Sequence, residues 1–171
     1  HQEVVNDILG LLEGDLLGPE AILGQTRGGL IQVLFGLEDS VEFQKAMDFI
    51  ESFYRRVQET KHDLVDKQKL GLGAGMVVTE VLKGTFGTSE RREFDIYGQG
   101  VEKARFLASA APTGSILFDE ATYRNVTDQD TDSGVKTDVI WRGLPLDAYR
   151  IMSVSQSLNY LSMRLTQVIV M

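Results

Sequence analysis

The sequence predicts an α/β (α+β) fold, and three stretches carry that prediction. In the first, Phe94 and Ile96 alternate as large residues do on a half-buried strand, and Gly98 then turns the chain into a helix. Val101, Ala104, Leu107 and Ala108 follow at spacings of three and four, which makes one buried helical stripe. Pro112 and Gly114 stop that helix before the strand Ser115-Ile116-Leu117-Phe118. In the second, residues 21–26 and 30–35 flank Arg27-Gly28-Gly29 and read as a β-hairpin. In the third, Phe43, Ala46, Met47, Ile50, Phe53, Tyr54 and Val57 keep the helical period and mark a core face.

The remaining elements follow in order. Residues 2–12 form an amphipathic helix, with Val4, Val5, Ile8, Leu9, Leu11 and Leu12 on one side and Asn6 and Asp7 on the other. Gly14-Asp15 and Gly18-Pro19 interrupt the chain before the hairpin. Asp39 or Ser40 caps the long helix, with Glu42 placed for a capping box on Asp39. The charge run of residues 59–69 reads as a solvated helix end and loop. Next, Leu70-Gly71-Leu72-Gly73-Ala74-Gly75-Met76-Val77-Val78 lacks the Lys-Ser/Thr of a phosphate loop and the glycine spacing of a dinucleotide-binding turn. Its alternate glycines read instead as sites of close backbone packing in a strand.

Arg91-Arg92 reads as a solvated turn, and Asp95 beside it as one half of a structural ion pair. Asp128-Gln129-Asp130-Thr131-Asp132-Ser133-Gly134 spaces its acids as a calcium loop does. It lacks the closing Glu at the twelfth position, so an exposed acidic hairpin loop is the expectation. Residues 135–141 and 148–154 are closing strands around Gly143-Leu144-Pro145, with Trp141 as a packing residue. Asp147 and Arg150 are expected to form a surface pair. Residues 155–161 are polar, and residues 164–171 read as a buried strand.

A chain of 171 residues is about one domain's worth. Its net charge of −8 argues against a nucleic-acid partner, since phosphate binding needs a basic face. The absence of cysteine excludes disulfides, zinc–thiolate sites and thiol chemistry, and fits a reducing compartment. No apolar run reaches the roughly 18 residues that span a bilayer, and no signal-peptide pattern opens the chain. The opening on His1 and the close on Met171 straight after an apolar run read as a piece of a longer polypeptide.

The stretch from Phe94 to Pro112, with the short helix Asp119-Glu120-Ala121-Thr122-Tyr123 after it, resembles the C-terminal half of the class III nucleotidyl (adenylate/guanylate) cyclase homology domain. Members read approximately aromatic-Asp-Ile-aromatic-Gly-x-x-Val-Asn-x-Ala-x-Arg-Leu, then a small-residue helix end, a glycine, a strand and a short helix. The resemblance runs from about residue 4 to residue 154. It implies a cyclase-like sandwich, with a central, mostly antiparallel sheet flanked by helices on a ferredoxin-like core. Within it, residues 83–92 supply a hairpin tip.

Residues 1–154 are thus expected to form a cyclase homology domain that lacks its usual first strand at the N-terminus. Residues 155–171 are expected to be a linker plus an apolar strand resembling the missing one. That strand is displaced, swapped or permuted, begins a further domain, or marks a concealed break in the order. The favoured expectation is that it fills the central slot of the sheet, within the chain or by exchange. A sheet without its middle strand would leave two unpaired ladders of backbone.

The resemblance also implies a chemistry. Two metal ions held by two Asp residues activate the ribose 3′-oxygen and clamp the phosphates. An Asn orients the ribose, an Arg one turn away stabilises the transition state, and a Lys and an Asp read the adenine edge. The sites form between two protomers. Matched position by position, Gly29 stands where one metal Asp would be, and the other would follow Val168-Ile169-Val170, where the chain stops. Glu102 occupies the Asn position, Phe106 the Arg position and Gln25 the Lys position, while Asp95 keeps the adenine-reading acid.

Glycine offers a metal no oxygen, Glu102 repels a triphosphate, and Phe106 cannot neutralise phosphate charge. The expectation is a catalytically silent cyclase-like domain, not an enzyme, with no cofactor. It would act as a regulatory and dimerisation module in intracellular signalling, cytoplasmic and without a membrane span. Its partners would be a homodimer or heterodimer mate, met through the cyclase-type face that the apolar strands 30–35 and 70–78 support, with ATP or GTP at Asp95 and Gln25. Two alternatives stand beside it: an atypical active adenylate/guanylate cyclase using Mg²⁺ or Mn²⁺, and a nucleotide-binding sensor that does no chemistry.

Overall fold

The computed structural model describes residues 2–12, 17–19, 21–27, 29–37, 43–60, 70–126, 134–152 and 163–170. Its elements in chain order are α1 (Gln2–Leu12), β1 (Ala21–Arg27), β2 (Leu30–Phe35), α2 (Phe43–Thr60), β3 (Leu70–Val77), β4 (Leu82–Gly87) and β5 (Arg92–Tyr97). They continue with α3 (Gln99–Ala110), β6 (Ser115–Asp119), α4 (Glu120–Val126), β7 (Val135–Trp141), β8 (Leu144–Met152) and β9 (Met163–Val170). Seven strands make one sheet in the order β1-β2-β9-β3-β6-β8-β7, and β4 pairs with β5 in a separate two-stranded ribbon.

The class is the α/β (α+β) arrangement that the sequence predicts, and the main sheet is mixed. β1/β2, β6/β8 and β7/β8 pair antiparallel, as does the β4/β5 ribbon. β2/β9, β9/β3 and β3/β6 pair parallel. The C-terminal strand β9 lies in the middle, with Leu30–Leu34 of β2 on one side and all of β3 on the other. β2, α2 and β3 therefore form a split βαβ unit, whose two strands run the same way with a third between them.

Strand periodicity divides the core in two. Ile31, Val33 and Phe35 of β2 point to the face covered by α1 and α2, where they meet Ile8, Leu12, Ile50 and Phe53. Aromatic rings fill that side: Phe35 meets Phe49 edge-on at 5.6 Å, and Phe49 stacks on Phe53 at 6.1 Å. Tyr54 is buried there and its hydroxyl donates to the Ser115 carbonyl at 3.4 Å. Burial pushes the Tyr54 phenol well above its ordinary pKa. Leu30 and Leu34 point the other way, toward Val101, Ala104 and Leu107 of α3.

The glycines of β3 explain how α3 sits. A Cβ on Gly75 would lie 2.2 Å from the Ala108 nitrogen, and one on Gly73 would lie 2.7 Å from the Ala111 carbonyl oxygen. One on Gly71 would lie 2.4 Å from the Thr113 hydroxyl. The helix thus rests directly on the strand's backbone, as the close-packing reading of these glycines expects.

Three local expectations need correction. Residues 83–87 belong to strand β4, so the hairpin tip is confined to residues 88–91, closed by Thr88 N–H donating to the Arg91 carbonyl at 3.0 Å. β8 starts at Leu144, and the turn before it is Arg142-Gly143, with φ of 53° and 79°. Pro145 near the strand's start pairs opposite Ile140, a position that tolerates its missing N–H. Asp147 forms its ion pair with Lys136 at 3.0 Å across the β7/β8 hairpin, not with Arg150. The cap at Asp39, Ser40 and Glu42, the charge run over residues 61–69 and the acidic loop at 128–133 lie outside the described residues.

Candidate functional site

The depth of α3 on β3 sets where its side chains emerge. Gly100, Val101, Ala104, Leu107 and Ala108 are buried against the sheet. That leaves Glu102 exposed and Phe106, one turn on, half-buried against the second core cluster. Glu102 forms an ion pair with Arg142 of the β7–β8 turn. The Arg142 guanidinium also lies over the Trp141 ring, 5.1 Å from its centroid, and Lys103 Nζ lies 5.8 Å from the same centroid. Lys103 reaches on to Asp119 at 2.7 Å, and the other Asp119 oxygen caps α4 by accepting from Thr122 N–H at 3.0 Å. Trp141 is therefore packed as expected, but by cations.

On the same side of the sheet a cavity of about 320 Å³ opens between β1, β2 and β5. Its polar lining is Gln25 and Gln32 from the hairpin and Asp95 from β5. Gly24, Phe94 and Ile96 are among the rest. Lys83 of β4 donates to the Leu37 carbonyl and ties the ribbon to the end of β2. Asp95 accepts the Ile96 N–H at 2.8 Å and the Tyr97 hydroxyl. That bond to the carboxylate raises the Tyr97 phenol above its ordinary pKa. The expected partners of Asp95 were Arg91 and Arg92; Arg91 pairs instead with Glu93, at 2.6 Å.

A larger hollow, of about 630 Å³, lies between α2, Leu17 and Gly18, and the end of β2 at Phe35. Its charges, Lys45, Arg55 and Arg56 against Asp48 and Glu59, are interleaved. That mixture is what a solvated helix face carries.

Two solved structures share this architecture. The guanylyl cyclase Cya2 superposes with a TM-score of 0.67 at 18% identity, over 92% of this chain and 83% of that one. The adenylyl cyclase CyaB from P. aeruginosa superposes with a TM-score of 0.62 at 15% identity, over 92% of this chain and 85% of that one. The fold is that of the nucleotidyl cyclases. No protein-family model matches the chain, and no curated protein matches it in sequence.

Within the cyclase fold, the positions matched from sequence fall in three places. Gln25 and Asp95 border one cavity. Glu102 and Phe106 lie on α3, engaged with Arg142 and with the core. Gly29 lies in the β1–β2 turn. Gly29 has no side-chain oxygen to offer the metal pair of cyclase chemistry, and among the described residues no three Asp, Glu or His side chains gather.

Sequence reasoning missed Gln32 and Arg105. Arg105 of α3 donates to Gln32 Oε1 at 3.1 Å. The available signal was a lone amide in the apolar run Leu30-Ile31-Gln32-Val33-Leu34-Phe35. A strand read as apolar throughout has no obvious use for it.

Proposed function

We propose that this chain is a catalytically silent domain of the cyclase fold that serves as a regulatory and dimerisation module in intracellular signalling. One observation carries the proposal. The α3 positions that match the family's Asn and Arg hold Glu102, spent on Arg142, and Phe106, packed against the core. An acid there repels a triphosphate, and losing a transition-state donor costs on the order of 10²–10³ in rate. Support for a second copy as partner comes from the β4–β5 ribbon. Leu82 and Tyr97 face each other across it and are 64% and 51% exposed, an apolar pair open to a mate.

The direct test is an assay of purified protein with ATP or GTP and Mn²⁺, alongside light scattering. No cyclic nucleotide above the buffer blank, and a dimer in solution, are the expected results. Formation of cyclic AMP or cyclic GMP would establish an atypical active cyclase and overturn the proposal.

A second reading, a sensor that binds a nucleotide without transforming it, is favoured by the meeting of Gln25 and Asp95 at one cavity. Its volume is at the lower end for a small-molecule site. Calorimetric binding of ATP or GTP with no product would support that reading.

A further inference from the structure

We infer that the outer edge of β7 is self-complementary, and that it pairs antiparallel with β7 of a second copy about a twofold axis at Thr137. β7 ends the sheet, and among the described residues no strand pairs with its outer side. Such an edge carries a row of backbone donors and acceptors able to join another strand. The ribbon contact proposed above lies beside β1 and β2, at the other edge of the sheet. The two contacts can therefore operate together, and pairs formed through the ribbon join through β7 as concentration rises.

The hairpin decides which backbone groups of β7 point outward. Arg142 and Gly143 both have positive φ, as the two-residue type I′ turn requires. In such a hairpin the flanking residues, Trp141 and Leu144, exchange both backbone bonds. Alternation then turns the N–H and C=O of Val139, Thr137 and Val135 toward β8 as well. Those of Lys136, Asp138 and Ile140 face outward.

Only residues with outward groups can pair across the axis, so the axis passes through a residue rather than between two. At Lys136 it would set two lysines opposite each other, and at Asp138 two aspartates; like charges so placed are destabilising. Nearer the turn, pairing runs into Arg142, which Glu102 and the Trp141 ring already hold. At Thr137 it sets Lys136 opposite Asp138 of the second copy, twice by symmetry. Thr137 then faces its own copy, and exposed Val135 faces Val139, both favourable cross-strand pairs.

Asp138 gains most from this register. Within the hairpin it is exposed and directly opposite Asp147, a like charge. Lys136 reaches Asp147 at 3.0 Å. Its ammonium has three donors, so it can serve Asp147 of its own chain and Asp138 across the axis together. A lysine on an edge strand ordinarily deters pairing. An aspartate two residues on reverses that for a twofold mate.

The test is sedimentation velocity on the full chain carrying Leu82→Glu, which puts a charge into the exposed ribbon pair. A concentration-dependent monomer–dimer equilibrium through β7 should persist. Adding Lys136→Glu or Asp138→Lys sets like charges opposite each other twice and should weaken that dimer about tenfold. Asp138→Lys also relieves the facing Asp147, so its loss of association cannot come from a weakened fold. An equimolar mixture of the two variants pairs opposite charges at both places, and its mixed dimer should recover to within about twofold. Asp138→Pro removes an outward N–H and leaves the β7/β8 ladder whole, so it should abolish the contact even if the charge variants fail to fold.

A monomer with Leu82→Glu at every concentration overturns the inference and leaves the ribbon contact standing. A dimer that the folded variants at Lys136 and Asp138 leave within about twofold, or a mixture no tighter than either variant alone, overturns it too. Association that Leu82→Glu leaves unchanged and the β7 variants weaken supports the inference and counts against the ribbon instead.

Discussion

The middle and one edge of the sheet face that carries α3 use glycine to opposite effect. At β3, Gly71, Gly73 and Gly75 admit the helix and the segment that follows it so closely that no Cβ fits. At β1, Gly24 faces the Gln32 side chain, and a cavity of about 320 Å³ opens alongside. The difference lies in what covers the strand. Over β3 it is helix backbone, which moves only as a unit. Over β1 and β2 it is a ribbon and long side chains, which adjust one by one. A rigid seam in the middle thus fixes where α3 presents Glu102 and Phe106, while the β1 edge is free to adjust.

Substituting the seam should produce the larger effect. Gly75→Ala would put a methyl 2.2 Å from the Ala108 nitrogen and 2.5 Å from the Ala104 carbonyl oxygen, both helix backbone. The helix must lift or the strand must bend, and overpacking of this kind costs about 3 kcal/mol, the upper part of its usual range. Urea unfolding should show the midpoint falling with the slope unchanged. A loss below about 1 kcal/mol would mean that α3 is not held against β3, and the contrast between the middle and the edge would collapse.

At the cavity end the same change should be milder. A methyl at position 24 would lie 3.0 Å from Cδ and Cγ of Gln32, part of a flexible side chain that gives by a few tenths of an ångström. Gly24→Ala should cost about 1 kcal/mol in the same urea experiment, at the lower edge of the overpacking range. A cost equal to that of Gly75→Ala would show Gln32 to be as immobile as helix backbone.

This contrast also separates what was legible in the sequence from what was not. The helical stripe of Val101, Ala104, Leu107 and Ala108 could be read because burial and spacing coincide there. The glycines of β3 could be read as packing positions because their alternation places all three on one face. The place of the last strand was legible through the cyclase resemblance rather than through any local pattern: residues 164–171 were expected in the central slot of the sheet, and β9 lies between β2 and β3.

In the candidate site, Asp95 and Gln25 were expected from matched positions, and both border one cavity. Gln32 was passed over because an apolar run was read as a whole, and its significance appears only with Arg105, 73 residues away. The tip of the ribbon was placed too widely because Lys83 and Gly84 are poor advertisements for a strand.

The smallest expected effect distinguishes two tyrosines, one on each side of the sheet. Burial raises the Tyr54 phenol, since its ionised form would lie among apolar rings. The exposed Tyr97 phenol is raised first by its hydrogen bond to Asp95, with the carboxylate's charge adding to it. The folded-state value lies above the unfolded value of about 10, so the bond's contribution is present below that pH and is lost as pH rises through the raised value. Asp95→Asn removes the charge and leaves a weaker acceptor, so Tyr97 should ionise at lower pH than in wild type while Tyr54 does not respond. Ultraviolet difference titration of the phenolate band would resolve the one shifting group. An unshifted curve would mean that the Tyr97 hydroxyl is not held by Asp95. The carboxylate at the cavity's edge would then have a free oxygen to offer a ligand, and the cavity end would be more open than the seam by one more hydrogen bond.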